Sequence, residues 1–333
     1  MPKAKILGVG RHVPAKVVTN QDMTAMMETS DEWIRQRTGI EERHFSEGRT
    51  GAADMGAIAA RQALECANLT AKDIDCIVFA TLSPDIHMPA SACLLQELLD
   101  ADEVPAFDVR NQCSGFLYSL AIADKFVKTG LYEHVLVVGA EVHSTGIDLT
   151  TRGRDVAVIF GDGAGAIVVG PSADPQRGIL STHLHADGEF AEKLWLECPA
   201  NRERPWLTEE MISGDDARMF PKMQGSYVFR HAVTRFPAVI REALDANGLQ
   251  PSDISLFIPH QANLRISQAV ASSLELPEER VFNNIQRYGN TTAASIPIAL
   301  YEAIAAGKLH DGDLLCLGAF GAGFTWASAL IRW

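Results

Sequence analysis

The sequence predicts an α/β protein built from two copies of one helix–strand domain, and three observations carry that expectation. Residues 63–79 (ALECANLTAKDIDCIVF) and 243–258 (ALDANGLQPSDISLFI) align without gaps at an offset of 180, so that Ala63/Ala243, Leu64/Leu244, Leu69/Leu249, Asp73/Asp253 and Ile74/Ile254 coincide. LVVGA at 136–140 answers LCLGA at 315–319 at an offset of 179. Both halves alternate short β-branched runs with stretches of helical apolar spacing. Similarity at half-chain spacing is the mark of a duplicated domain, here with halves expected at 1–172 and 173–333. A pseudo-twofold axis between them would bring matching strand and helix ends to one central site. The polar stretch near 194–223, with Pro199, Pro205 and Pro221, has no counterpart in the first half and reads as a cap insertion.

In order along the chain, residues 5–10 read as a first strand followed by a turn at Pro14. Asp31 opens a short helix, DEWIRQRTGI, that carries Trp33 and Arg37. A longer helix is expected over 55–67, a strand over 75–80 and another helix near 90–99. The run 135–139 is β-branched and ends in glycine, as a buried strand does. FGDGAGAIVVG at 160–170 has the look of a phosphate loop but lacks the lysine, and a strand-like run rather than a helix follows it. Its glycines therefore read as close strand packing.

The stretch 107–130, FDVRNQCSGFLYSLAIADKFVKTG, organises the first half. Phe116, Leu117, Leu120, Ala123 and Val127 recur at helical spacing, Asp124, Lys125 and Lys128 fall elsewhere, and Gly130 closes the helix. Cys113 lies where the helix begins. Unpaired N–H groups and the positive end of the dipole favour a thiolate there and would lower the cysteine pKa, so the position suits a nucleophile, while a buried, inert cysteine is the alternative that the position alone leaves open.

Composition narrows the function. Hydrophobic residues make up 47% and charged residues 21%, which supports a large core rather than disorder. A formal charge of −13 argues against nucleic-acid binding and against adhesion to anionic membranes. No apolar run reaches bilayer length, and MPKAKILGVG has no signal-peptide h-region or cleavage site. The cysteines at 66, 76, 93, 113, 198 and 316 form no CxxC pair, which suits a reducing cytoplasm better than disulfides or a zinc site. No metal ligand cluster is expected.

IPHQANLRI places His260 just past a strand, and RYGNTTAASIPIALYEAI places Asn290 before a helix, at an offset of 177 from Cys113. A cysteine, a histidine and an asparagine on element ends of a duplicated frame suggest acyl transfer by a cysteine nucleophile. From end to end the chain resembles the β-ketoacyl-(acyl carrier protein) synthase III family of the thiolase superfamily. The resemblance rests on TSDEWIRQRTGIEERH, PAFDV with C-x-GF, FGDGAGA, STHLHADG, PHQANLRI, the GNT segment and AFGAGFTWASALIRW. It implies a thiolase-like duplicated five-layered αβαβα fold, a homodimer and no cofactor, acyl-CoA being a substrate. It further implies that Cys113 takes the acyl group from acyl-CoA, and that His260 and Asn290 stabilise the enolate formed when malonyl-(acyl carrier protein) loses CO₂. Backbone N–H groups of Cys113 and Ala322 would form the oxyanion hole. Trp33 would stack on adenine with Arg37 nearby, Arg265 would lie near the phosphates or the carrier protein, and either Arg152 or Arg154 would face CoA. Met88 and Phe320 are assigned to the acyl pocket. His143, His183 and His185 read as structural.

The chain departs from the family pattern in places. Ala322 stands for a usual glycine in the AFGAG loop and would resist a positive φ. Met88 replaces a frequent phenylalanine at the position gating the primer tunnel across the dimer, and Asn111 and Gln112 precede the nucleophile where small residues are usual. With the insertion carrying Trp195, Trp206, Met211 and Met219, these differences suggest primers longer or bulkier than acetyl. The leading expectation is decarboxylative condensation that initiates fatty-acid synthesis. The alternative is an acyltransferase or condensing enzyme of a secondary-metabolite pathway. A catalytically silent subunit is disfavoured by the intact Cys, His and Asn, and thiolase proper by the lack of a second cysteine in AFGAGF.

Overall fold

Two sheets with one strand order organise the chain. The computed structural model describes residues 3–333; Met1 and Pro2, which open the expected first half, lie outside them. The first sheet runs Ala4–His12, Gly163–Pro171, Val135–Glu141, Cys76–Ala80, Ala106–Val109 in space. The second runs Gly178–Ala186, Thr325–Arg332, Leu314–Gly321, Leu256–Pro259. An isolated parallel bridge from Phe257 to Val281 stands where the first sheet has its fifth strand. The directions repeat as well: two antiparallel pairings, then parallel ones joined by crossover helices.

Apolar side chains on both faces of each sheet dictate the layering, because a parallel sheet must be covered twice. Ala52–Ala67 and Ser91–Leu99 cover the outer face of the first sheet, where Ala59, Ala63 and Leu95 join Phe79 and Val138. Gly225–Ala246 and Leu264–Ser273 cover the outer face of the second, with Phe236 and Ile240 joining Phe257 and Cys316. Between the sheets lie Gly115–Thr129 and Ser295–Ala305, whose Phe116, Leu120, Ile296 and Leu300 share one core with Val137 and Leu317. The stack is helix, sheet, helix, sheet, helix: the five-layered thiolase-like fold. No helix of the described residues is long and apolar enough to cross a membrane.

Local chemistry moves some boundaries. The helix expected from 55 starts at Ala52, because the Asp54 carboxylate accepts the Gly51 N–H at 2.8 Å and caps it a turn earlier. Asp124, expected away from the apolar face, is fully buried and ion-paired to Lys128 at 2.8 Å and Lys125 at 2.7 Å. Its helix lies between two sheets, which leaves it little solvated surface. The glycine run does serve close packing: a Cβ on Gly165 would lie 2.7 Å from Pro297 of the central helix. Residues 194–223 form a ribbon pairing Leu194–Trp195 with Lys222–Met223 around the short helix Glu209–Ser213. Met211 is buried there, while Trp206 is 43% exposed, edge-on to His87.

Candidate active site

Cys113 sits in a single helical turn, Gln112–Ser114, that leads into the central helix Gly115–Thr129. The second half repeats the device: the turn Thr292–Ala294 leads into Ser295–Ala305. Each turn opens on a left-handed residue, Gln112 at φ 42° and Thr292 at φ 48°. The structural register is thus 180, and the counterpart of Cys113 is Ala293; the offset of 177 to Asn290 read from the sequence is not the symmetry of the fold. Each turn rests on a strand of the other half. A Cβ on Gly321 would lie 2.3 Å from the Cys113 Cβ, and one on Gly139 would lie 2.3 Å from the Ala293 carbonyl oxygen. Both strands need glycine at the crossing.

The side chain of Cys113 is buried, and the backbone N–H groups of Ala322 and of Cys113 face it and favour its thiolate. The positive φ of this loop falls on Gly323, at 133°, so Ala322 keeps its donor without strain. Burial nevertheless pushes the thiol up to about 12, with the Glu141 carboxylate adding to the rise. This reverses the lowered pKa expected from the helix start. Two N–H donors favour the thiolate, but the loss of water outweighs them.

His260 follows the strand Leu256–Pro259, and its backbone N–H donates to the Gly318 carbonyl at 2.8 Å. Its Nδ1 is 2.7 Å from Ser295 Oγ, at the start of the second central helix. Its Nε2 is buried without a partner. Burial, with His143 nearby, lowers this imidazole to about 3, so it is neutral at working pH. Asn290 is pinned by its backbone: its N–H donates to Ile159 O at 2.8 Å, and its carbonyl accepts the Gly161 N–H at 3.1 Å. Its Oδ1 accepts the Thr292 N–H at 2.8 Å, which leaves the Nδ2 end available. Cys113, His260 and Asn290 are therefore tied together through the two turns and Ser295.

Of the outlying residues, Trp33, Arg37 and Arg154 come together: the two guanidinium carbons lie 5.0 and 4.9 Å from the centroid of the indole ring. Arg152 does not join them. It pairs with the buried Asp148 and donates to the carbonyls of Gly214 and Asp215, at 3.0 and 3.2 Å, fastening the insertion. Arg265 is exposed on its helix, whose cap Asn263 donates from Nδ2 to the Arg37 carbonyl at 2.9 Å. Phe320 is buried against Phe324, one residue before Gly321. Met88 is 85% exposed, so it does not line the site of its own chain.

Known proteins share this sequence and fold. Models of 3-oxoacyl-[acyl-carrier-protein (ACP)] synthase III match residues 107–188, and of its C-terminal part residues 244–333. A β-ketoacyl-[acyl-carrier-protein] synthase III of Xanthomonas campestris pv. campestris is 47% identical over 330 residues, 99% of this chain and 98% of that protein. The chain belongs to the β-ketoacyl-[acyl-carrier-protein] synthase III family. The crystal structure of 3-oxoacyl-[acyl-carrier-protein] synthase III from Aquifex aeolicus VF5 superposes with a TM-score of 0.91 at 44% identity, covering 99% of this chain and 100% of that one. The priming β-ketosynthase from the R1128 polyketide biosynthetic pathway gives 0.89 at 34%, covering 99% and 97%.

In this synthase, four residues that surround Cys113, His260 and Asn290 carry little functional signal in the sequence: His143, read as structural, and Glu141, Thr292 and Ser295. Glu141 is fully buried and accepts from Thr81, Leu82 and Ser83, which holds the start of the 81–89 loop. The strand pattern at 135–141 gave the only signal, an acidic residue closing an otherwise apolar run. Ser295 had none, since serine at a helix start is ordinary.

Proposed function

We propose that this protein condenses an acyl-CoA primer with malonyl-(acyl carrier protein), with loss of CO₂, to give a β-ketoacyl-(acyl carrier protein) that starts fatty-acid synthesis. One observation carries the reading: a buried thiol facing two backbone N–H donors, beside a neutral histidine whose Nε2 has no partner. In the first half-reaction the Cys113 proton passes to His260 Nε2 as the sulfur attacks the acyl-CoA carbonyl. The oxyanion rests on the N–H groups of Cys113 and Ala322, the C–S bond to CoA breaks, and the CoA thiolate takes the proton. In the second, the malonyl carboxylate leaves as CO₂, and its electron pair becomes an enolate held by His260 Nε2–H and Asn290 Nδ2–H. The enolate carbon attacks the acyl-Cys113 carbonyl, and the expelled Cys113 thiolate is protonated from solvent. His260 must thus accept in one step and donate in the other. Ser295 Oγ, at 2.7 Å from Nδ1, can donate or accept and so serves both tautomers.

Trp33 with Arg37 and Arg154 forms the slot for the CoA adenine and phosphate, and Arg265 lies on the carrier-protein side of it. Arg152 belongs to the insertion's fastening instead. We read the chain as halves 1–172 and 173–333, since each sheet draws its strands from one side of that boundary. A homodimer fits the edge strand Ala106–Val109, half-buried and paired on one side by Cys76–Ala80. It also fits the exposed Met88, which would gate the partner's acyl pocket beside Phe320. Free thiols at all six cysteines suit a cytoplasmic setting. No cofactor enters these steps. Kinship with a polyketide priming ketosynthase keeps a secondary-metabolite role as the second reading. The test is intact-protein mass after incubation with acyl-CoAs of graded chain length, with Cys113→Ala alongside. A gain of one acyl group, absent from the variant, is expected, with primers beyond acetyl accepted; no gain with any of them would overturn the reading, and an acetyl-only profile would sink the broad pocket.

A further inference from the structure

His143 is buried beside the catalytic groups, and the steps above do not use it. Its backbone cannot shift: the N–H groups of His143 and Ser144 donate to Asp162 Oδ1 at 2.7 and 2.9 Å, while Ser46 N–H and Oγ hold the other oxygen at 2.8 and 3.0 Å. Its ring packs on Phe160 with centroids 4.6 Å apart. Its Nε2 reaches one partner, Thr292 Oγ1, at 2.6 Å. Thr292 holds φ at 48°, a left-handed conformation costly for a β-branched residue and kept only where the surroundings enforce it. From that turn its N–H donates to Asn290 Oδ1.

We propose that His143 is a positioning residue for the malonyl half-reaction: by holding Thr292 Oγ1 it keeps the left-handed turn whose N–H fixes the Asn290 amide, so that Nδ2 faces the enolate oxygen. An apolar side chain at 143 would leave the buried Thr292 hydroxyl unpartnered and release the turn. Without the Thr292 N–H, the Asn290 amide is free to rotate and present its own oxygen, an acceptor, to a developing negative charge. His260 is held by Ser295, one residue into the helix that the turn leads to and not by Thr292 itself, so the acylation half-reaction depends on this chain of contacts less than CO₂ release does. Burial lowers the His143 ring to about 4, so it acts as a neutral hydrogen-bonding group rather than a charge.

The inference rests on the role given to Asn290 above, and the test separates the two. Enzyme acylated beforehand is mixed with malonyl-loaded carrier protein and CO₂ release is timed; acylation by acyl-CoA is timed separately by mass. His143→Leu and Thr292→Val are each expected to slow CO₂ release about tenfold or more, within the ~100-fold that small misplacements cost, while acylation stays within about threefold. The double variant is expected to be no slower than the slower single one, and His143→Gln to recover part of the loss, since its amide can meet Thr292 Oγ1. Unchanged CO₂ release in His143→Leu and Thr292→Val while Asn290→Ala slows it would overturn this inference alone. Parallel loss of both half-reactions, or additive losses in the double variant, would also overturn it, as general destabilisation. If Asn290→Ala leaves CO₂ release unchanged, the role given to Asn290 falls and this inference with it.

Discussion

Alkylation of Cys113 by iodoacetamide is expected to rise about tenfold per pH unit from pH 6 to 10 without a plateau. The resting pair cannot be a thiolate beside an imidazolium: the thiol lies at about 12 and His260 at about 3. Against an ordinary cysteine near pKa 8.5, Cys113 carries ~3,000-fold less thiolate at neutral pH. The greater nucleophilicity of a more basic thiolate returns roughly 40-fold, for a Brønsted slope near 0.45. Cys113 is therefore expected to react about a hundredfold more slowly than a free thiol, before any steric shielding. The exposed Cys66 and Cys93 give an internal reference in the same sample, read by peptide mass after timed quenching. A plateau below pH 8, or Cys113 outrunning Cys66 at pH 7, would refute the reasoning: the helix start and the two N–H donors would then outweigh burial. If it holds, deprotonation waits for the acyl-CoA carbonyl, because only the developing oxyanion and the closing C–S bond can offset the cost.

Other outcomes follow from neighbouring contacts. Gly321→Ala would set a Cβ 2.3 Å from Cys113 Cβ and 2.7 Å from its sulfur; displacing the nucleophile by on the order of 1 Å costs about a hundredfold in acylation, and an unchanged rate by mass would mean that the loop yields instead. Arg154→Ala is expected to raise the KM for acyl-CoA about fivefold, the worth of one cation–π contact of ~1 kcal/mol. Arg152→Ala is expected instead to speed proteolytic nicking within 194–223, and a reversal of the two effects would exchange the roles of these arginines. Burial raises Glu141 to about 7. A raised carboxyl keeps its proton in the fold longer than in the unfolded chain, so stability falls as pH climbs from about 4.5 to 7, by ~3 kcal/mol. Relative to Glu141→Gln, urea unfolding at pH 5 and pH 8 would show that loss in the native protein alone; equal pH slopes would contradict it.

The repeat in 63–79 and 243–258 was legible because duplicated helices must bury the same apolar positions against equivalent strands. Cys113, His260 and Asn290 were legible for a different reason: each ends an element, and element ends in a doubled frame converge. What the letters hid was the environment. Nothing in NQCSGF says whether the thiol faces water, so the helix-start argument gave the sign that burial reverses. Two arginines two residues apart in TTRGRD are equivalent as text; Asp148 and the carbonyls of 214 and 215 claim one, and the indole of Trp33 meets the other. His143 looked inert because its partner, Thr292, owes its role to a backbone conformation that its side chain disfavours.

That left-handed residue points to how the site is assembled. Gln112 and Thr292 stand at equivalent places, each costly for its residue type and each opening the turn that leads into a central helix. The first turn is pressed against Gly321 and the second against Gly139, glycines of the opposite half. Each turn is supported by a strand that belongs to the other half. The strain is thus met when both halves are folded together, and Cys113, His260 and Asn290 are placed by the same docking. Chemistry in which an acyl group on one turn meets a carbanion held beside the other needs that coupling. A single domain with one such turn would offer a buried thiol and no partner for it.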